Sequence, residues 1–561
     1  MRIIFALLVI FYSAVSAKAE QIDYVFQYAN KAAAQADALV SGFVDNPTYA
    51  LSNVTAKKIS DGSTYSGYWI IVSSQGPIGG LLQSSASNTG YGLATDANLV
   101  IAVGRNAMNA GQPYTYMIGA NTIANLNDLT LSPTFFSENF PFGNLAPIVT
   151  GAVPAKFFGM HIYSSNAPYV WTSAPFPALA SPLGFSTPCG GWTYIQPTSQ
   201  ASYNYATVGP CGNPNGADAQ FAVAESSGTE VGFSMGGTPG WAVANHTTNG
   251  AVNVITGEWV SYLPPDDRSP TGPIPIFLND LLTKYNADTG TIHKAIRYIE
   301  CWIEPATNAL TTAQIVATYC QLINSYIHAN WPLIKTTTPS LQPDSFTQPT
   351  SFYGQFFASY ASQFGNAAPA SDFDVVTWHG YGGCANIAAL NTRFYRMLPL
   401  LQTYGLGTKP VIDSEGGWLT DVSCPSSTNQ TNFASEWSIG HWNWGNLEAH
   451  WYGQAGLNWG TLTDNSGAPN AAGTAYKNVR SWILGATLAK TGCVIAQGTG
   501  QWTCNWTSGA SVPFSTYFDT GGGPTTFTIS GGYAACVDAS SNAVTITTST
   551  IPVTALPVKC Q

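Results

Sequence analysis

Two apolar runs that end in glutamate constrain this chain more than any other feature. One is Tyr298-Ile299-Glu300-Cys301-Trp302-Ile303-Glu304-Pro305. The other, about a hundred residues later, is Pro410-Val411-Ile412-Asp413-Ser414-Glu415-Gly416-Gly417-Trp418. Each reads as a buried strand that stops in a carboxylic acid. Between them, Asp374-Val375-Val376-Thr377-Trp378-His379-Gly380-Tyr381 reads as a third strand. Parallel barrels carry their chemistry at the C-terminal ends of the strands.

The rest of the chain extends that pattern. Strand-like runs fall at 157–162, 184–187, 230–235, 295–302, 333–338, 374–379, 410–414 and 456–462. Helical stretches lie between them, among them 276–285, 313–329 and 351–364. Alternation of this kind predicts an α/β fold, a parallel sheet with crossover helices closed as a (β/α)8 TIM barrel over 151–490. Residues 491–561 are rich in Thr, Ser and Gly, with alternating runs at 525–529 and 543–547 that predict a C-terminal β-sandwich. Residues 20–150 form an N-terminal accessory α+β region, opening with a helix-like stretch over 24–40 and a strand-like run over 67–72. No catalytic motif is visible in that region.

The chain begins with Arg2, an apolar stretch over 3–15 and Ala17-Lys18-Ala19, the layout of a signal peptide over residues 1–19. That stretch is short for a membrane span, and no later run is long enough. The expectation is an exported protein, extracellular or periplasmic, with no stable membrane insertion. Ten cysteines suit an oxidising compartment, and their spacing is not that of a zinc site. They read as disulfide staples whose pairing the sequence does not fix, with a buried thiol as the alternative for Cys301, inside a strand. Charged residues are only 9% of the chain and the formal net charge is −10, with no basic cluster for nucleic acid. A neutral, hydroxyl-rich and aromatic-rich surface suits a carbohydrate partner, and equally an adhesive or shell protein.

On a regular strand Glu300, Trp302 and Glu304 share one face, and the two acids stand about 13 Å apart. Only one can reach the rim. Glu304, followed by Pro305, is that residue, and Glu300 is a structural acid deeper inside. Glu415 is followed by two glycines, which permit a sharp departure and give a ligand close access. Two carboxylates facing each other across a barrel rim are equipment for breaking a glycosidic bond. His379 and Tyr381 end the adjacent strand, where Tyr381 can donate a hydrogen bond to Glu415. His161 ends the first strand, and Trp241 and Trp459 offer flat faces on which sugar rings stack. These five are the candidate substrate-binding residues.

These segments resemble the retaining (β/α)8 glycosidases of clan A, most of all the β-xylosidase and α-iduronidase-like family thirty-nine. The likeness runs from Phe157-Phe158-Gly159-Met160-His161 to the end of the chain. Phe233-Ser234-Met235-Gly236-Gly237-Thr238-Pro239-Gly240-Trp241 is similar to the family's third-strand segment, and Glu300 to Pro305 to its Glu-x-Trp-Asn-Glu-Pro. Asp374 to Tyr381 and Lys409 to Trp418 match its sixth and seventh strands. The resemblance implies Glu304 as general acid/base, held protonated by an apolar setting and nearby negative charge, and Glu415 as ionised nucleophile, with no metal or other cofactor. Two departures stand out. Ile303 replaces the family's Asn, which hydrogen-bonds the sugar 2-OH, and Gly184-Phe185-Ser186-Thr187 stands where the family has a supporting Arg.

Three other functions compete with hydrolysis of a polysaccharide or oligosaccharide. One is a carbohydrate-binding protein on a glycosidase scaffold, motivated by Ile303 and the lost Arg. Another is a surface-attachment protein built around residues 20–150. The third is a serine hydrolase, since Gly232-Phe233-Ser234-Met235-Gly236 has the letters of a nucleophile elbow.

Overall fold

The computed structural model describes residues 24–28, 50–57, 64–72, 151–160, 191–206, 216–243, 264–308, 312–342, 351–382, 386–418, 427–452, 460–463 and 468–561, with short internal gaps. The chain divides into two compact units. The smaller consists mainly of the first 146 residues. Its described part is an antiparallel sheet of β1 (Tyr24–Tyr28), β2 (Ala50–Lys57) and β3 (Thr64–Val72) in the order β1-β3-β2. The helix expected from Tyr24 is therefore a strand at its start. Tyr-Val-Phe-Gln-Tyr is aromatic and β-branched, and it pairs residue for residue with Tyr68 to Val72. The signal-like stretch over 1–19 lies outside the described residues.

The larger unit holds a parallel sheet. Its strands are β4 (Phe158–Met160), β5 (Val231–Ser234), β6 (Ile296–Glu300), β7 (Lys335–Thr337), β8 (Val376–Trp378), β9 (Val411–Gly416) and β10 (Asn446–Trp451). One run pairs β5-β6-β7 and another β8-β9-β10-β4, all parallel. Parallel bridges Thr337↔Val375 and Leu341↔Trp378 join the two runs. The expected second strand, 184–187, lies outside the described residues.

Helices α1 (Gly216–Ser226), α2 (Pro273–Tyr285), α3 (Ala313–Asn330), α4 (Phe352–Phe364), α5 (Ser427–Asn443) and α6 (Ala471–Ile483) alternate with these strands. Their starts are fixed by side-chain caps where the sequence supplies one. Thr312 accepts from the Ile315 N–H, Ser351 from Gly354 and Asn470 from Gly473. In α3 the buried positions Val316, Ala317, Cys320, Ile323 and Ile327 recur at helical spacing and seat the helix on the sheet.

On the other face of the sheet, β6, β8, β9 and β10 converge. Tyr298, Val375 and Ile412 form an apolar cluster with Leu447. Above it Tyr298 donates to Glu448 Oε1 at 3.1 Å, and His450 Nε2 lies 2.9 Å from Glu448 Oε2. That polar content explains a misplaced element. The eighth strand is Asn446–Trp451 rather than 456–462, because Glu448 and His450 satisfy each other inside and so disguise a buried strand as a surface segment. Of the expected segment, 460–462 is described and carries no strand.

The last seventy residues are antiparallel. Strands β11 (Thr487–Ala496), β12 (Gln501–Thr507), β13 (Pro513–Asp519), β15 (Cys536–Asp538), β16 (Ala543–Val544) and β18 (Val558–Cys560) make one sheet, and β14 (Thr525–Thr528) pairs with β17 (Thr550–Val553). Tyr517, Phe527, Ile551, Val553 and Val558, drawn from both sheets, share one apolar core with the Cys536–Cys560 disulfide. Cys493 and Cys504 form a second disulfide. Cys301 is not a thiol but is bonded to Cys320 of α3. Cys189, Cys211, Cys384 and Cys424 lie outside the described residues. Among the described residues no helix is long and apolar enough to cross a membrane.

Candidate active site

Strand β6 ends at Glu300, four residues before the acid that sequence spacing placed on the same strand face. The disulfide from Cys301 to Cys320 turns the chain toward α3, and Trp302 is buried edge-on against Tyr319 at 5.2 Å. Ile303 packs on the backbone of Gly236, where a Cβ would fall 2.5 Å from Ile303 Cγ2. Glu304 then adopts φ +40°, a left-handed conformation that costs an L-residue about 1–2 kcal/mol. Its N–H donates to Ser340 Oγ at 2.7 Å, and Pro305 opens a single helical turn, Pro305–Asn308. Glu300 and Glu304 are therefore not two positions on one straight ladder.

The ends of β8 and β9 are tied more regularly. The Gly380 N–H donates to the Glu415 carbonyl at 3.0 Å and to Asp413 Oδ1 at 3.0 Å. A Cβ at Gly380 would stand 2.1 Å from Asp413 Oδ2, so only glycine allows this approach. The Tyr381 hydroxyl donates to Glu415 Oε1 at 2.5 Å, and Arg393 donates to the Tyr381 carbonyl.

Glu304, His379 and Glu415 converge. His379 Nδ1 is 2.6 Å from Glu304 Oε1 and 3.9 Å from Glu415 Oε1. The three donor atoms all lie within 4.8 Å of one another. They are also the group among the described residues that could ligate a divalent cation. The 2.6 Å contact between imidazole and carboxylate is short enough to share a proton directly.

Electrostatics follow from burial and proximity. Burial opposes charge on His379, but the Glu415 and Glu304 carboxylates outweigh it and push the imidazole up to about 10. Burial raises Glu415 to about 7; His379 opposes the rise, Glu304 adds to it, and the Tyr381 hydrogen bond opposes it again. Glu300, 2% exposed, is raised to about 8, again first by burial. His379 lowers it and Glu415 raises it, so Glu300 belongs to the floor of the same cluster.

Of the sequence candidates, Glu304, Glu415, His379 and Tyr381 are brought together. Trp241 stands edge-on to Trp192 at 6.2 Å, with Nε1 donating to the Gln196 carbonyl. His161 and Trp459 lie outside the described residues. Ser234 is buried inside β5 and accepts from the Gly236 N–H, so the serine-elbow geometry is absent at that motif. Ser340, Asp413 and Arg393 were not singled out from sequence. Of the three, Asp413 carries a signal that could have found it: a charge inside an apolar strand, two residues before Glu415.

No protein-family model and no curated protein matches the chain. Among solved structures, a family 39 glycoside hydrolase from the gut symbiont Bacteroides cellulosilyticus WH2 aligns over 74% of this chain and 81% of its own, with 13% identity and a TM-score of 0.51. The chain shares the fold of that glycoside hydrolase. A GH30 endoxylanase from Clostridium papyrosolvens C71 covers the same 74% and 98% of its own length at 14% identity, with a TM-score of 0.46. A GH51 arabinofuranosidase from Xanthomonas axonopodis pv. citri does so at 11% identity and 0.46. The fold assignment rests on the first. On this glycoside hydrolase fold, the converging acids stand at the C-terminal ends of parallel strands, where such sheets place their ligands.

Proposed function

We propose that this protein is a secreted retaining glycoside hydrolase that cleaves O-glycosidic bonds of a polysaccharide or oligosaccharide by double displacement. The reading includes a closed (β/α)8 barrel over 151–490 with 184–187 as its second strand, a β-sandwich over 491–561 and an accessory domain over 20–150. A signal peptide over 1–19 directs export to the periplasm or the medium. The observation that carries the proposal is the convergence of Glu304 and Glu415 within 4.8 Å, which fits the ~5–5.5 Å separation of retaining enzymes better than the wider gap that inverting ones need for water.

In the first step Glu415, ionised beside the His379 imidazolium and the Tyr381 hydroxyl, attacks the anomeric carbon. The glycosidic C–O bond breaks, and the leaving oxygen takes the proton that Glu304 shares with His379. In the second step water attacks the anomeric carbon, its proton passes to the Glu304–His379 pair, and Glu415 leaves as a carboxylate. Glu304, with 21% of its side chain exposed, can reach both leaving group and water, whereas Glu415, at 8%, is held for one attack.

A panel of aryl glycosides and polysaccharides, with the anomeric configuration of the first-formed product followed by NMR, tests the proposal. Retention is expected, together with loss of turnover in Glu415→Gln. Inversion, or unchanged hydrolysis by that variant, overturns the mechanism. Ile303 supports a second reading. It is 6% exposed and packed on Gly236, so it offers no hydrogen bond beside the acid. A catalytically weakened carbohydrate binder would retain oligosaccharides in calorimetry without turning any over.

A further inference from the structure

Behind Glu415, on the side of the sheet that faces α5, lies a second pair of ionisable groups. Asp413 and His441 are both fully buried, and Asp413 Oδ2 is 2.6 Å from His441 Nε2. His441 Nδ1 is 2.8 Å from the Trp437 carbonyl. A carbonyl only accepts, so Nδ1 carries a hydrogen. The 2.6 Å contact at Nε2 requires another proton between ring and carboxyl. The pair therefore holds one proton more than a neutral imidazole beside a bare carboxylate.

The surroundings decide where that proton sits. His441 stacks on Trp378 at 5.6 Å and lies 3.9 Å from Trp437 and 4.8 Å from Trp444, centroid to centroid. Aromatic faces on this scale favour a cation. Asp413 Oδ1 meanwhile accepts from the Gly380 N–H at 3.0 Å and the Glu415 N–H at 3.3 Å, bonds that favour a carboxylate. Asn446 closes the cage, accepting from Trp378 Nε1 and donating to the His441 carbonyl. Among these contacts Asp413 is the titratable group that faces His441. Glu415 is faced by Asp413 from its own strand, by His379 and Tyr381 from the end of β8, and by Glu304 and Glu300 from β6 and the turn that follows it.

The geometry points to Asp413 and His441 as a buried carboxylate–imidazolium couple that positions Glu415 and tunes its charge. The couple rests on the hydrolytic reading only for its consequence, since its own geometry is independent of turnover. Asp413 reaches the backbone of both strand ends that carry the site, at Gly380 and at Glu415. The imidazolium keeps that reach from adding a net negative charge behind the nucleophile. Asp413 and His441 touch no reacting atom; they act through Glu415.

Two substitutions pull this couple in opposite directions. Asp413→Asn preserves acceptance from Gly380 and Glu415 and lets His441 become neutral, which removes one of the anions that face Glu415. His441→Gln leaves Asp413 uncompensated. In protein labelled with ¹³C at glutamate Cδ, the Glu415 resonance is identified by its loss in Glu415→Gln. Its titration midpoint is expected to fall by ~0.5 pH unit or more in Asp413→Asn and to rise by a similar amount in His441→Gln, within the range a neighbouring charge produces. The low-pH limb of kcat/KM moves with it if hydrolysis is the activity. If the midpoint shifts while no substrate is turned over, the couple stands and the hydrolytic reading falls. Unchanged midpoints, or shifts of the same sign in both variants, overturn the proposal. Should either variant fail to fold, ¹⁵N spectra of the seven histidines in the wild-type protein give the answer instead. Two protonated ring nitrogens on His441 are expected at neutral pH, and a neutral ring overturns it.

Discussion

The two acids of the site are held in contrasting ways, and the contrast fits the division of labour proposed for them. Glu304 stands four residues beyond the end of β6, in a left-handed backbone conformation, with its N–H bonded to Ser340 and a partly exposed carboxyl. Glu415 lies within β9, where its N–H, carbonyl and carboxyl are bound by Asp413, Gly380 and Tyr381. An acid that must serve first a leaving group and then water needs access more than rigidity. A nucleophile needs its lone pair fixed on one line of approach. Strain gathers on the accessible acid, and bracing gathers on the buried one.

The largest effect should come from breaking that division directly. Glu415→Ala is expected to lower kcat/KM by roughly 10⁴–10⁶-fold on every aryl glycoside, whatever the leaving group. Glu304→Ala should cost about 10²–10⁴-fold on poor leaving groups and little on activated ones, since only the former need protonation. A plot of rate against leaving-group acidity checks both, and equal slopes for the two variants would erase the contrast. Next in size is Tyr381→Phe. Removing the 2.5 Å donor should cost ~10²-fold in kcat, as loss of one preorganised hydrogen bond does. That bond holds Glu415 down against burial, so its loss should also move the low-pH limb of the rate profile upward.

The same contrast governs what could be read from the sequence. Six strands showed themselves as short apolar runs, because the parallel strands are covered on both faces. The acids showed themselves because each ends such a run. The eighth strand did not, since Glu448 and His450 are paired with each other inside. The β1 strand reads as the start of a helix because its apolar spacing is ambiguous over so few residues. The irregular exit of β6 was invisible too. It depends on a disulfide to Cys320 and on Ser340, neither of which lies near Glu304 in the chain. The bracing of Glu415 was half legible. Asp413 sits in the quoted strand, but its partner His441 is on a helix 28 residues away, and helical position alone does not mark a histidine as buried.

Glu300 offers a smaller effect with a definite sign. Its folded-state value is raised from 4.5 to about 8, so the folded protein keeps a proton that the unfolded chain releases over that window. Stability contributed by this group is present at low pH and lost as pH rises through about 8. His379, raised from 6.5 to about 10, adds a loss of the same sign at higher pH. Thermal melts of Glu300→Gln should match the wild type near pH 4 and exceed it by about 1 °C near pH 8, the shift that ~1 kcal/mol produces at ~2.1 cal/mol/K per residue in a chain of 561 residues. A wild-type Tm that rises between those two values would contradict the buried, protonated acid.

The smallest predicted change is the one most specific to the strained acid. Glycine adopts positive φ freely, so Glu304→Gly should relieve the ~1–2 kcal/mol carried by a left-handed L-residue. Part of the gain is offset by the ~0.5–1 kcal/mol that glycine costs in chain entropy. Gly and Ala both lose the carboxylate that pairs with His379, so the relief shows as Glu304→Gly exceeding Glu304→Ala by up to ~1 kcal/mol in urea melts. Ala at the same position removes the carboxyl without relieving the backbone, which separates the two contributions. If Gly and Ala prove equally stable, the backbone at Glu304 is not strained. Its exposure would then have to be explained by the turn into Pro305 alone.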